Sequence, residues 1–123
     1  MGTTPALGAR ELAIMKVVWK LGDASVRDVY ETLRKERSVA YTTVMSMMGT
    51  LEGKGYLKKR MDGRAFRYRP ARPEQHVISG MVREFIDRVF DGASQPLLAH
   101  LVSARRLTDE EREELRRLID EAE

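Results

Sequence analysis

"VAYTTVMSMMGTLEGKGYLKKRMDGRAFRYRP", residues 39–70, is the stretch on which the rest of the chain turns. In its first half Ala40, Val44, Met47, Met48 and Leu51 recur at helical spacing. They predict a helix from near Ala40 to the Gly53-Lys54-Gly55 stop. The remaining face carries Thr42, Thr43, Ser46, Gly49 and Thr50, small residues where a surface helix ordinarily carries charge. Three neighbouring methionines could form a soft binding surface, but at this spacing they read as core filler. After Gly55 the period changes from about 3.6 to about 2. Tyr56–Met61 reads as a strand and Asp62-Gly63 as a two-residue hairpin turn. Arg64–Arg69 returns as a second strand, with Phe66 and Tyr68 on one face and Arg67 and Arg69 on the other, and Pro70 ends it. From Lys54 to Arg69 there are seven Lys and Arg against one Asp, so a bare helix face lies beside a dense positive cluster.

Upstream, Leu7, Ile14, Val18 and Leu21, widened by Met15 and Trp19, predict a helix over about Ala9–Leu21 that Gly22 stops. Ser25 with Asp28 three residues on is a short capping box for a second helix, whose apolar face is Val26, Val29, Tyr30 and Leu33. Downstream, Pro73 opens a long helix to about Asp91, broken by Gly92. A short helix over Gln95–Ser103 follows. Thr108-Asp109-Glu110-Glu111 then caps a last helix carrying Leu115, Leu118 and Ile119. The predicted fold is mostly α with a small antiparallel β wing: a winged helix-turn-helix domain over 1–72, then a three-helix arm over 73–123.

The totals agree with this division. Residues 1–72 hold 15 Lys and Arg against 7 Asp and Glu; residues 73–123 hold 7 against 12. A basic first part suits an anionic partner and an acidic second part does not. With 123 residues and no cysteine, nothing points to a disulfide scaffold, a thiolate metal site or a cysteine nucleophile. No apolar run approaches the ~20 residues that span a bilayer. The first residues, MGTTPALGARE, show no signal segment, so the cytoplasm and its nucleoid are the expected location, with no membrane partner. An enzyme is not expected. His76 and His100 stand 24 positions apart, outside any H-E-x-x-H, G-x-S-x-G or Gly-rich phosphate loop. No metal or other cofactor is implied.

The chemistry of the third helix and the wing is that of a groove reader. Small side chains let a helix approach base edges, and Thr and Ser donate to or accept from bases and phosphates. The helix N-terminus at Tyr41-Thr42-Thr43 adds a partial positive charge. Tyr41 fits either a phosphate oxygen or packing under helix 2. The candidate DNA surface is Tyr41, Thr42, Thr43, Ser46 and Thr50 with Lys54, Lys58, Arg60, Arg64 and Arg67. The arm has another role. Val77, Ile78, Met81, Val82, Phe85, Ile86, Val89 and Phe90 are too apolar for a 50-residue appendage to bury alone. Ile78 to Phe90, with Leu97, Leu101 and Leu118, are therefore the candidate dimer residues, and a two-fold dimer matches a palindromic operator. The same helix could instead fold back on the winged domain.

The residues ELAIMKVVW, SVRDVYETL, AYTTVMSMMGTLEGKGYL, RAFRYRP and LTDEEREELRRLID together resemble the BlaI/MecI/CopY family of bacterial repressors, the penicillinase repressors, over nearly the whole chain. The resemblance implies a homodimeric transcriptional repressor on a dyad operator. By position it places DNA contacts at Thr42, Thr43 and Ser46 and at Arg64 or Arg67. In antibiotic-responsive members a sensor-linked protease cuts the arm; the corresponding bond here is His100-Leu101, within PLLAHLVSARRL, where well-known members carry Asn-Phe. Copper-responsive members use a C-terminal cysteine cluster, which this chain lacks. Two other readings fit the residues: a winged module whose basic face meets an acidic protein, and a ligand-responsive regulator.

Overall fold

Helix α1 (Ala9–Leu21) starts where the Gly8 N–H donates to the Glu11 carboxylate at 2.9 Å, and it stops at Gly22, whose φ of 82° only glycine adopts freely. In the computed structural model the described residues are 6–104 and 107–122. The N-terminal residues 1–5, read above as carrying no signal segment, lie outside them, as do Arg105 and Arg106 of the PLLAHLVSARRL stretch. Ile14, Met15 and Val18 are buried as the apolar spacing requires. Leu21, expected on the same stripe, is exposed at the helix end.

A two-residue strand β1 (Ala24–Ser25) follows, then α2 (Val26–Leu33) and α3 (Tyr41–Gly53). Ser25 closes the expected capping box: its Oγ accepts from the Asp28 N–H at 3.1 Å, and the Asp28 carboxylate accepts from the Ser25 N–H at 3.0 Å. The hairpin strands are β2 (Leu57–Asp62) and β3 (Ala65–Pro70), and the sheet order is β1-β3-β2. The expected two-stranded wing is therefore a three-stranded antiparallel sheet, because Ala24 pairs with Tyr68 and Ser25 with Arg67. The turn also differs by one residue from the expectation. Asp62 pairs with Ala65, so the loop is Gly63-Arg64, with positive φ at Gly63 alone, as a type II′ hairpin needs.

One core joins these elements. Val29 and Leu33 of α2, Val44, Met48 and Leu51 of α3, Ala24, Leu57 and Tyr68 meet the buried stripe of α1. Of the predicted α3 stripe, Met47 is only half-buried and Ala40, the N-cap, is exposed. Phe66 and Tyr68 share a strand face as predicted, but only Tyr68 is buried; Phe66 lies nearer the turn and is exposed. Trp19 donates from Nε1 to the Arg72 carbonyl at 2.9 Å, which anchors the exit of the sheet to α1.

The chain divides into two compact units, residues 1–78 and 79–123. The dividing line falls inside α4 (Glu74–Phe90), six residues beyond the expected Arg72/Pro73 boundary, and Val77 in the first turn of α4 is buried. The second unit holds the rest of α4, α5 (Gln95–Ser103) and α6 (Asp109–Glu121). Asp91 and Gly92, both at positive φ, end α4, and the capping box at Thr108 opens α6. No described residue of this unit is buried. No helix among the described residues is long and apolar enough to cross a membrane.

Candidate nucleic-acid interface

At 100° per residue, the buried Val44, Met48 and Leu51 of α3 leave Thr42, Ser46, Gly49, Thr50 and Gly53 as the opposite face, and all five are exposed. No carboxylate stands on that face. The Thr50 hydroxyl donates back to the Ser46 carbonyl at 3.1 Å, which leaves its exposed oxygen able to accept. Gly49 and Gly53 have nothing within 4 Å of where a Cβ would sit, so backbone lies open there.

The flanks depart from expectation. Met45, read with its neighbours as core filler, is 48% exposed beside the outward face. The methionines divide by angle: Met48 is fully buried, Met47 half-buried and Met45 outside. Residue type alone does not separate them, but the 100° wheel does. Thr43 is half-buried on the other flank. It lines a cleft of ≈ 200 Å³ with Arg10, Ile14, Leu33, Arg37 and Met47. Tyr41 packs on α2: its ring stands edge-on to Tyr30 at 5.5 Å, and the Arg27 guanidinium lies over it at 5.5 Å.

The cations of residues 54–69 fall into two sets. Among the described residues Lys58, Arg64 and Arg69 form no ion pair and are exposed. Lys59 is exposed too, its ammonium 4.6 Å from the Phe66 ring centre. Arg60 and Arg67 instead hold Asp23: Arg60 donates to Oδ2 at 2.9 Å and Arg67 to Oδ1 at 3.0 Å. The hydrogen bond from Arg60 holds the Asp23 carboxyl below the usual aspartate range; partial burial opposes this, and Arg67 adds to the lowering.

Lys54, expected on the DNA surface, is already satisfied. Its ammonium lies 2.9 and 2.8 Å from the two Glu11 oxygens, and the Ala6 carbonyl accepts at 3.3 Å. The pair ties the end of α3 to the start of α1. Glu11 is the buried acid that the sequence reading passed over, since its partner lies 43 residues away. Burial pushes the Glu11 carboxyl up, but the Gly8 N–H and the Lys54 ammonium outweigh it, so the group sits below the usual glutamate value of 4.5. A depressed folded value means that the stabilisation is complete above about pH 4.5 and is lost as pH falls through the lower folded value. Glu11→Gln should cost about 2 kcal/mol near neutral pH, between an exposed and a fully buried pair. It should also flatten the acid limb of stability in urea unfolding followed from pH 7 downward. Parallel limbs for the variant and the parent would assign the acid sensitivity elsewhere.

The family model described as penicillinase repressor matches residues 7–121. The transcriptional regulator BlaI of Mycobacterium tuberculosis is 33% identical over 125 residues, covering 100% of this chain and 89% of that protein. The penicillinase repressor of Bacillus licheniformis is 28% identical over 121 residues, covering 98% of this chain and 94% of that protein. Among solved structures, the solution structure of the monomeric form of Bacillus licheniformis BlaI in complex with the blaP half-operator is 32% identical with a TM-score of 0.52. That alignment covers 61% of this chain and 92% of the solved one.

Proposed function

The chain belongs to the penicillinase repressor family, and we propose that it represses transcription by laying the outward face of α3 in a DNA major groove, as a homodimer on a dyad site. The observation that carries the reading surface is the exposed, carboxylate-free stripe Thr42-Ser46-Gly49-Thr50 on α3, in the same unit as the wing cations Lys58, Arg64 and Arg69, which form no ion pair among the described residues. Met45 joins it, able to pack on a thymine methyl. Tyr41, Thr43, Arg60 and Arg67 frame the surface more than they face it, and Lys54 is occupied within the protein. The family is one of transcriptional repressors, and no enzymatic step is part of this reading. Its place of action is the cytoplasmic nucleoid, where the DNA is.

The dimer is supported by the unburied apolar side chains of the second unit. Val82, Phe85 and Val89 are exposed along α4, with Met81, Ile86 and Phe90 only half-covered, as is Ile78 at the end of the first unit. Leu118 is exposed, and Leu97 and Leu101 are half-covered. Relief by a sensor-linked protease completes the reading. The His100-Leu101 bond lies inside α5, where the His100 carbonyl accepts from the Ala104 N–H at 2.9 Å, so a protease has to unwind that turn before it can cut.

The test is a titration of the protein against the DNA upstream of its own gene, with a scrambled duplex beside it, over a series of salt concentrations. The expected preference for one dyad site is about a thousandfold or more. The three to four wing cations per protomer that form no ion pair among the described residues give six to eight phosphates per dimer, and log affinity should fall with log salt at a slope of roughly −5 to −7. Equal binding to both duplexes, vanishing with salt, would reject sequence-specific repression and favour an acidic protein partner.

A further inference from the structure

Arg60 and Arg67 are directly opposite each other in the β2–β3 ladder. Like charges at such a position repel. The carboxylate of Asp23, in the turn after α1, answers both: one oxygen takes Arg60 and the other takes Arg67. The Asp23 carbonyl accepts a further bond from Arg67 at 3.3 Å, and the Asp28 carboxylate, which caps α2, lies 3.6 Å from the same guanidinium. Asp23 is itself held from both sides. Gly22 precedes it at positive φ, and Ala24 follows, fully buried in β1. Beyond the Arg60–Arg67 pair the hairpin continues through Met61–Phe66 and Asp62–Ala65 to Arg64, and every residue from Met61 to Phe66 is exposed. The tip carries no core packing of its own, so its direction is inherited from its base.

We propose that Asp23 is a positioning residue for DNA recognition, which clamps Arg60 and Arg67 so that the wing tip and its Arg64 are held at a fixed angle to α3, and which keeps two cations from binding phosphate indiscriminately. The clamp exchanges general affinity for discrimination. This rests on the repressor reading above, and the wild-type titration serves as its separate control.

Asp23→Asn keeps the shape and removes the charge. Affinity for scrambled DNA should rise, the salt slope should steepen by about one to two per protomer as the guanidiniums turn to phosphates, and the dyad-to-scrambled ratio should fall by about tenfold. Asp23→Glu keeps the charge and moves the carboxylate by one methylene; it should lower the ratio and leave the salt slope unchanged, and it decides the matter should the asparagine variant fail to fold. If Asp23 merely repels DNA, Asp23→Asn tightens both duplexes equally and the ratio stays put. If it only stabilises the fold, melting temperature drops with ratio and slope unchanged. Either result overturns the proposal. A wild-type protein that itself shows no dyad preference fails the repressor reading instead.

Discussion

Gly49→Glu should abolish operator binding while leaving the protein folded. Gly49 stands on the exposed face of α3, and a side chain there meets nothing within 4 Å. A glycine inside a helix costs roughly 0.5–1 kcal/mol relative to a side chain that favours helix, so the substitution is neutral or stabilising for the free protein. In a groove its effect reverses. The carboxylate is pressed between phosphates and the bulk holds the α3 backbone off the bases; like-charge juxtaposition costs several kcal/mol, on the order of a thousandfold in affinity. Gly49→Ala isolates the helix term: it should raise unfolding stability by up to about 1 kcal/mol and carry only the steric part of the binding loss. Circular dichroism melting beside the operator titration separates the two effects. Unchanged operator affinity in the glutamate variant would remove α3 from the interface.

Phe85→Asp is expected to leave monomers. Phe85 is 40% exposed on α4, edge-on to Phe90 at 5.8 Å, between the exposed Val82 and Val89. A carboxylate there would have to be desolvated inside any paired α4 face, and an unpaired buried charge is among the costliest changes an interface can take. Sedimentation should report the monomer mass. Because linked half-sites bind with an effective concentration that separate ones lack, affinity for a full dyad should fall by about 10² to 10⁴, while a single half-site should be bound as before. A dimer mass that survives the substitution would place the pairing surface elsewhere in the chain.

The outward face of α3 was legible at once, since a stripe of Thr, Ser and Gly opposite Val44, Met48 and Leu51 needs only the helical period. Met45 was missed because its residue type argued for the core while its angle did not. The wing was legible as a pattern of period 2, but which of its cations are available was not. Lys58 and Arg69 look like Arg60 and Arg67 in the chain and differ only in whether Asp23 lies within reach.

By itself the sequence determined what depends on near neighbours: the helices Ala9–Leu21 and Gln95–Ser103, the capping boxes at Ser25 and Thr108, the hairpin, and the family that their order carries. These are set by periods and bonds a few residues long. Tertiary structure decided the third strand, because Ala24-Ser25 is too short to show a period and its partners stand at Tyr68 and Arg67. It also decided the pairing of Lys54 with Glu11 and of two wing arginines with Asp23, across 37 to 44 residues of chain. An ion pair between residues so far apart leaves no local trace in either partner's surroundings; it exists only once the core has brought the two side chains to the same place.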